Sequence, residues 1–222
     1  MTPPPYPPPP VGEEKVRAQD PRQRLYLVTS RLDDTASFAR DLDAALAAGD
    51  IAAVLLRLAD SDERTLVDRA KAIAAIVQRR DVALLLDGHT EIVGRAGADG
   101  AHFTGIEAFA AALAILKPER IAGAGGLRSR HDAMLASEAG ADYLMFGDGP
   151  RSSFDVALEY LTWSAQLLEL PCIGYAASPD EVLPLARTGA DFVALGDWIW
   201  THPEGAAAAV AKAAENLGAP GP

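Results

Sequence analysis

From Arg24 onward, short apolar runs alternate with longer amphipathic stretches eight times, and this alternation restricts the fold more than any other feature of the chain. The apolar runs at 25–29, 53–58, 82–86, 100–103, 120–124, 143–147, 172–175 and 192–196 are strand candidates. Helices are expected near 35–48, 63–79, 90–96, 106–116, 128–138, 152–168, 178–188 and 206–216. A strand followed by a helix, repeated, builds a parallel sheet. The runs are almost continuously apolar, as strands covered on both faces must be. The fold class read from this pattern is α/β, a single (β/α)₈ barrel of the TIM type. An open doubly wound sheet is the alternative, and it lacks the G-x-G-x-x-G that would follow its first strand.

A weak internal repeat supports eight units. Ala48-Gly49-Asp50, Gly97-Ala98-Asp99-Gly100, Gly140-Ala141-Asp142 and Gly189-Ala190-Asp191 each end a helix and open a strand. Glycine is suited to the left-handed residue that stops a helix, and the Ala-Asp pair turns the chain into the next strand. The repeats are spaced by about two strand–helix units.

Residues 1–22 have a different character. Positions 3–10 read PPPYPPPP, a polyproline II composition with nothing to bury. The stretch is expected to be a disordered Pro-rich tail, leaving 23–222 as the barrel domain. The net charge of −11 disfavours nucleic acid and anionic lipid as partners. No apolar run reaches the length of a membrane span. Prolines stand where a signal peptide would be apolar, so a cytoplasmic location is expected. One cysteine, Cys172, excludes an internal disulfide framework, and its apolar neighbours predict a packed thiol.

Barrels of this kind carry their chemistry at the C-terminal ends of the strands. The candidates there are Thr29-Ser30-Arg31, Arg57, Asp87-Gly88-His89, His102-Phe103-Thr104, Gly125-Gly126, the Asp148–Ser153 segment, Tyr175 and Gly196-Asp197. Arg57 closes an apolar strand, so it either binds an anion or pairs with Asp60 or Asp87. Asp87, His89 and Glu91 alternate like metal ligands, although Gly88 points to a turn that would break the alternation. His102 lies within the fourth strand and reads as a satisfied core or rim histidine, whereas His131 reads as solvated. The lysines are Lys15, Lys71, Lys117 and Lys212, none at a strand end, which disfavours a Schiff-base aldolase.

These landmarks carry a family resemblance. Leu25-Tyr26-Leu27-Val28-Thr29, Leu55-Leu56-Arg57, Gly97 to Phe103, Gly140 to Gly147 and Gly189 to Leu195 resemble successive segments of thiamine-phosphate synthases and the related thiazole tautomerases. The resemblance runs from about residue 24 to 202. It implies joining an aminopyrimidine diphosphate to a thiazole phosphate, with release of pyrophosphate and with Mg²⁺. It assigns diphosphate binding and catalysis to Arg57, Asp87, Arg151 and Ser152, and metal binding to Asp87 and Glu107. Phosphate binding falls to Arg57, Gly125, Gly126, Gly174, Tyr175, Gly196 and Asp197.

Several of these positions depart from the family pattern. Its Gln-x-Arg-x-Lys reads Leu55-Leu56-Arg57-Leu58-Ala59, and its Asn-Asp pair reads Asp87-Gly88. The serine after strand five becomes Gly125 or Gly126. The Thr-x-Thr-Lys loop becomes Arg151-Ser152-Ser153-Phe154, and the Gly-Gly after strand seven becomes Gly174-Tyr175. Leu127 and Arg128 stand where the resemblance places the tautomerase histidine. Asp197 is expected to cap a helix and to compete with phosphate for the same amides. Two functions follow. One is a thiamine-phosphate synthase-like protein of thiamine biosynthesis. The other is a catalytically silent paralogue that binds a thiamine-related small molecule or a partner protein. A small phosphorylated molecule is the expected ligand, and a homodimer is left open.

Overall fold

The computed structural model describes residues 23–149 and 153–217. The Pro-rich tail and two of the candidate residues, Arg151 and Ser152, lie outside the described residues.

Eight parallel strands close into a barrel in chain order, each hydrogen-bonded to the next and β8 to β1. The strands are β1 (Arg24–Leu32), β2 (Ile51–Leu58), β3 (Ala83–Asp87), β4 (Gly100–Thr104), β5 (Ile121–Gly125), β6 (Tyr143–Phe146), β7 (Cys172–Ala176) and β8 (Phe192–Leu195). The helices are α1 (Thr35–Leu46), α2 (Glu63–Gln78), α3 (Val93–Ala96), α4 (Ile106–Leu116), α5 (Arg130–Ala139), α6 (Phe154–Leu167), α7 (Val182–Ala186) and α8 (Ala206–Leu217). The alternation of strand side chains sorts the core into two layers. Leu25, Leu27, Val54, Leu56, Leu84 and Leu86 pack outward against the helices. Tyr26, Val28, Leu55, Leu85, Tyr143, Met145 and Ile173 fill the barrel itself. Cys172 is fully buried, as its neighbours predict.

The internal repeat has a physical reason at the bottom of the barrel. Gly97 and Gly140 cap the ends of α3 and α5 and Gly189 lies in the turn after α7, with φ of 71°, 100° and 84°, the left-handed region that glycine enters without strain. The aspartate two residues later then reaches sideways to the preceding strand. Asp99 accepts the Leu84 N–H at 2.8 Å, Asp142 the Ala122 N–H at 2.7 Å, and Asp191 the Cys172 N–H at 2.8 Å. Each carboxylate therefore staples an even strand to its odd neighbour. Asp50, in the first repeat, instead takes the Arg24 side chain at 2.8 Å.

Three regions differ from the sequence expectation. The segments near 90–96 and 178–188 each begin as a 3₁₀ turn, leaving α3 and α7 at four and five residues. Strand β1 runs on to Leu32 through an irregularity between Val28 and Arg31. Side chains replace ladder partners there. Trp200 donates its indole N–H to the Val28 carbonyl at 2.7 Å, and the Thr29 hydroxyl accepts the Arg57 N–H at 2.9 Å. Both partners are distant in sequence, so a local pattern could not signal the extension.

Candidate functional site at the barrel mouth

The same alternation that sends Ala53 and Leu55 into the barrel puts Arg57 at its mouth, one position past the apolar filling. Its backbone is held by Thr29, so the side chain starts from a fixed point. Asp87, the last residue of β3, lies 3.3 Å from Arg57 Nε, and Asp197, just after β8, lies 3.4 Å from Arg57 Nη1. Arg57 and Asp87 are about three-quarters covered, while Asp197 is more than half exposed. The Arg57 guanidinium sits 6.0 Å from the centre of the Tyr175 ring. Burial alone would lower the Arg57 pKa, but Tyr175, Asp87 and Asp197 outweigh it and hold the group charged. Burial raises the Tyr175 phenol, with Arg57 opposing.

Of the two carboxylates weighed as ion-pair partners for Arg57, the structure pairs it with Asp87. Asp60 pairs with Arg31 instead, at 3.5 Å on the surface. The expected helix cap by Asp197 is corrected. Asp197 opens a 3₁₀ turn (Asp197–Thr201) in which no side chain caps the amides, because its carboxylate is drawn to Arg57. The alternation of Asp87, His89 and Glu91 is broken as Gly88 suggested. Gly88 and His89 both take positive φ, and His89 turns to Glu91 at 3.2 Å.

A second polar group lies beneath this clamp, and the sequence reading did not assemble it. His102 comes from β4 and is 1% exposed; Asp148 follows β6 and is 2% exposed. His102 Nε2 and Asp148 Oδ2 are 3.1 Å apart, while the Gly126 N–H donates to Asp148 Oδ1 at 2.9 Å. On its other side, His102 Nδ1 meets the Tyr143 hydroxyl at 3.0 Å, and Tyr143 meets the Tyr26 hydroxyl at 3.1 Å. Burial raises both phenols well above the ordinary value. His102 is thus a satisfied interior histidine, in line with its reading. Glycines clear the space: a Cβ on Gly123 would stand 2.1 Å from the Tyr143 ring, and one on Gly125 would stand 2.2 Å from Asp148 Oδ2. Two glycines at alternate positions of one strand were the available signal, since they empty one face for neighbouring side chains.

The remaining candidates divide in the same way. Tyr175 and Gly196 meet at the mouth, where a Cβ on Gly196 would be 2.4 Å from the Tyr175 hydroxyl. Gly125 and Gly126 border Asp148, and the Gly126 amide is engaged by that carboxylate. Gly174 faces the other way, toward Leu161 and Leu185 of α6 and α7. Glu107 is exposed in the first turn of α4. Among the described residues no group of three His, Cys, Asp or Glu side chains could hold a metal ion. Asp87 and Glu107 are oxygen donors that suit Mg²⁺ arriving with an anionic ligand, since this ion takes one or two protein carboxylates and the rest from phosphate and water. They do not suit an ion held by the protein alone.

A closed eight-stranded α/β barrel with an ion-paired arginine at its C-terminal mouth defines the class of protein. The sequence pattern described as thiamine monophosphate synthase matches residues 25–199, and the chain belongs to that family. It is 38% identical over 197 residues to a thiamine-phosphate synthase of Rhodospirillum centenum, covering 85% of this chain and 94% of that one. It is 35% identical over 203 residues to the thiamine-phosphate synthase of Hyphomonas neptunium, with 86% and 91% covered. A thiamine phosphate pyrophosphorylase from Pyrococcus furiosus superposes with a TM-score of 0.72 over 89% of this chain and 96% of that chain; at 22% identity this likeness speaks to the fold. No helix among the described residues is long and apolar enough to cross a membrane.

Proposed function

We propose that this chain is a thiamine-phosphate synthase-like protein of thiamine biosynthesis, cytoplasmic, whose mouth keeps one anion-binding cation and holds it in a self-paired state. The observation that carries this reading is Arg57 between Asp87 and Asp197. Arg57 is the cation that the family resemblance assigns to the diphosphate. For an anionic precursor to reach it, the two carboxylates must yield or be offset. Mg²⁺, held by Asp87 and Glu107 together with the substrate's own oxygens, would supply charge neutralisation of the diphosphate. Arg57 would orient that group, and Tyr175 would wall the mouth against water. The resemblance assigns the remaining contacts to Arg151 and Ser152, which lie outside the described residues.

The second reading, a silent paralogue that binds a thiamine-related molecule or a partner protein, is favoured by Tyr175. Its ring fills the space over Gly196 that a phosphate would need. Turnover decides between the two. The full-length protein, given aminopyrimidine diphosphate, thiazole phosphate and Mg²⁺, should form thiamine phosphate and rescue a thiamine auxotroph if it is a synthase. A rate of about 1 s⁻¹ or more is ordinary for an enzyme and would defeat the silent reading; absence of product and of rescue would defeat the synthase reading. Titration with Mg²⁺ should show weak binding that pyrophosphate strengthens, and Asp87→Asn should lose it. Equal binding by the two proteins would remove Asp87 from the metal site.

A further inference from the structure

The four side chains beneath the clamp have donors and acceptors that can be counted. An ionised carboxylate only accepts. Asp148 Oδ1 is taken by the Gly126 N–H, so at Oδ2 it needs a second donor, and His102 Nε2 is the group in reach at 3.1 Å. If Nε2 carries the proton of a neutral imidazole, Nδ1 is an acceptor and Tyr143 must donate to it. The Tyr143 oxygen then accepts from Tyr26. Every proton in this order has an acceptor. The opposite tautomer would set a bare nitrogen against a carboxylate oxygen. A proton on Nδ1 would make the Tyr143 oxygen an acceptor from His102 and leave one of the two phenolic protons without an acceptor, since Tyr26 has no second side-chain or backbone partner among the described residues. In a fully buried layer such an orphan is costly.

We propose that Asp148 is a positioning residue: it fixes a proton of His102 on Nε2 and so sets a single proton order, Tyr26 to Tyr143 to His102 to Asp148, across the barrel. Both nitrogens of His102 are then engaged, and the imidazole neither donates to nor accepts from a ligand at the mouth. The same order is expected whether or not the mouth turns anything over.

Two-bond ¹H–¹⁵N correlation spectra of the full-length protein, labelled at its four histidines, read the tautomer directly. Replacing His89, His131 and His202 by Gln in turn assigns the remaining signal to His102. The expected wild-type result is a single neutral Nε2–H form. In Asp148→Asn the amide oxygen should stay on the Gly126 N–H and the NH₂ should face His102, which must become an acceptor; the signal should switch to Nδ1–H. Tyr143→Phe removes the hydroxyl and leaves Asp148 in command, so Nε2–H should persist. A wild-type imidazolium, a wild-type Nδ1–H form or a mixture of tautomers would overturn the assignment. So would an unchanged Asp148→Asn spectrum or a switch in Tyr143→Phe. If Asp148→Asn does not fold, the wild-type and Tyr143→Phe spectra decide alone.

Discussion

The mouth and the buried layer around His102 are both polar, and they adjoin, since Asp87 of the one and His102 of the other are register partners on β3 and β4. They differ in water. At the mouth, Asp197 is more than half exposed, so its attraction to Arg57 is screened and it can be removed at little cost, while Arg57 and Asp87 keep about a quarter of their surface in solvent. Beneath it, His102 and Asp148 are almost wholly covered, and every donor depends on one acceptor. The upper group can be rearranged by a ligand or a mutation, whereas the lower one is part of the core.

The sharpest test of that difference is Asp148→Ala. It orphans the Gly126 N–H and His102 Nε2, each worth about 1–3 kcal/mol when buried without a partner, so a loss of about 3 kcal/mol in urea unfolding is expected. A loss under about 1 kcal/mol would mean that water reaches the lower layer and that the contrast is false. Next comes ligand affinity at the mouth. The family resemblance places a phosphate dianion beside Asp197, whose negative charge would then repel it by on the order of 1–4 kcal/mol at about 4 Å. Tyr175→Gly combined with Asp197→Ser should therefore strengthen phosphate binding about tenfold to several hundredfold by calorimetry. Full synthase activity should not follow, because the Gln and Lys beside Arg57 remain absent. Unchanged phosphate affinity would show that the clamp is not what excludes the anion.

Smaller effects bound the comparison from below. Asp197→Ala should cost under about 1 kcal/mol of stability, as exposed ion pairs do, since Arg57 keeps Asp87. A larger loss in denaturant unfolding would place Asp197 with the core rather than the mouth. Deleting residues 1–22 should leave the melting temperature unchanged within error, because the segment has too little apolar content to dock. A drop of several degrees would move the domain boundary.

The barrel was legible because its signal is periodic: eight apolar runs with helices between them need no knowledge of distant partners. Arg57 was legible for a related reason, as a charge that ends a strand must meet water or a counterion. Which counterion it meets was not legible, since Asp60, Asp87 and Asp197 are equally acidic and closure of the barrel decides among them. The His102 layer was still less visible. Tyr26 and Tyr143 stand 117 positions apart and meet only across the barrel. Each alone reads as an aromatic in an apolar strand. Gly174 shows another limit: the resemblance reads it as a phosphate cradle and does not signal that the missing side chain also makes room for leucines of α6 and α7.

Gly125 has one more consequence, for how such a sequence can drift. A methyl carbon there would stand 2.2 Å from Asp148 Oδ2 and 2.5 Å from His102 Nε2, so their contact would have to shift to admit it. The two sites should behave as linked characters among relatives: chains with alanine or serine in place of Gly125 should lack the acid at 148.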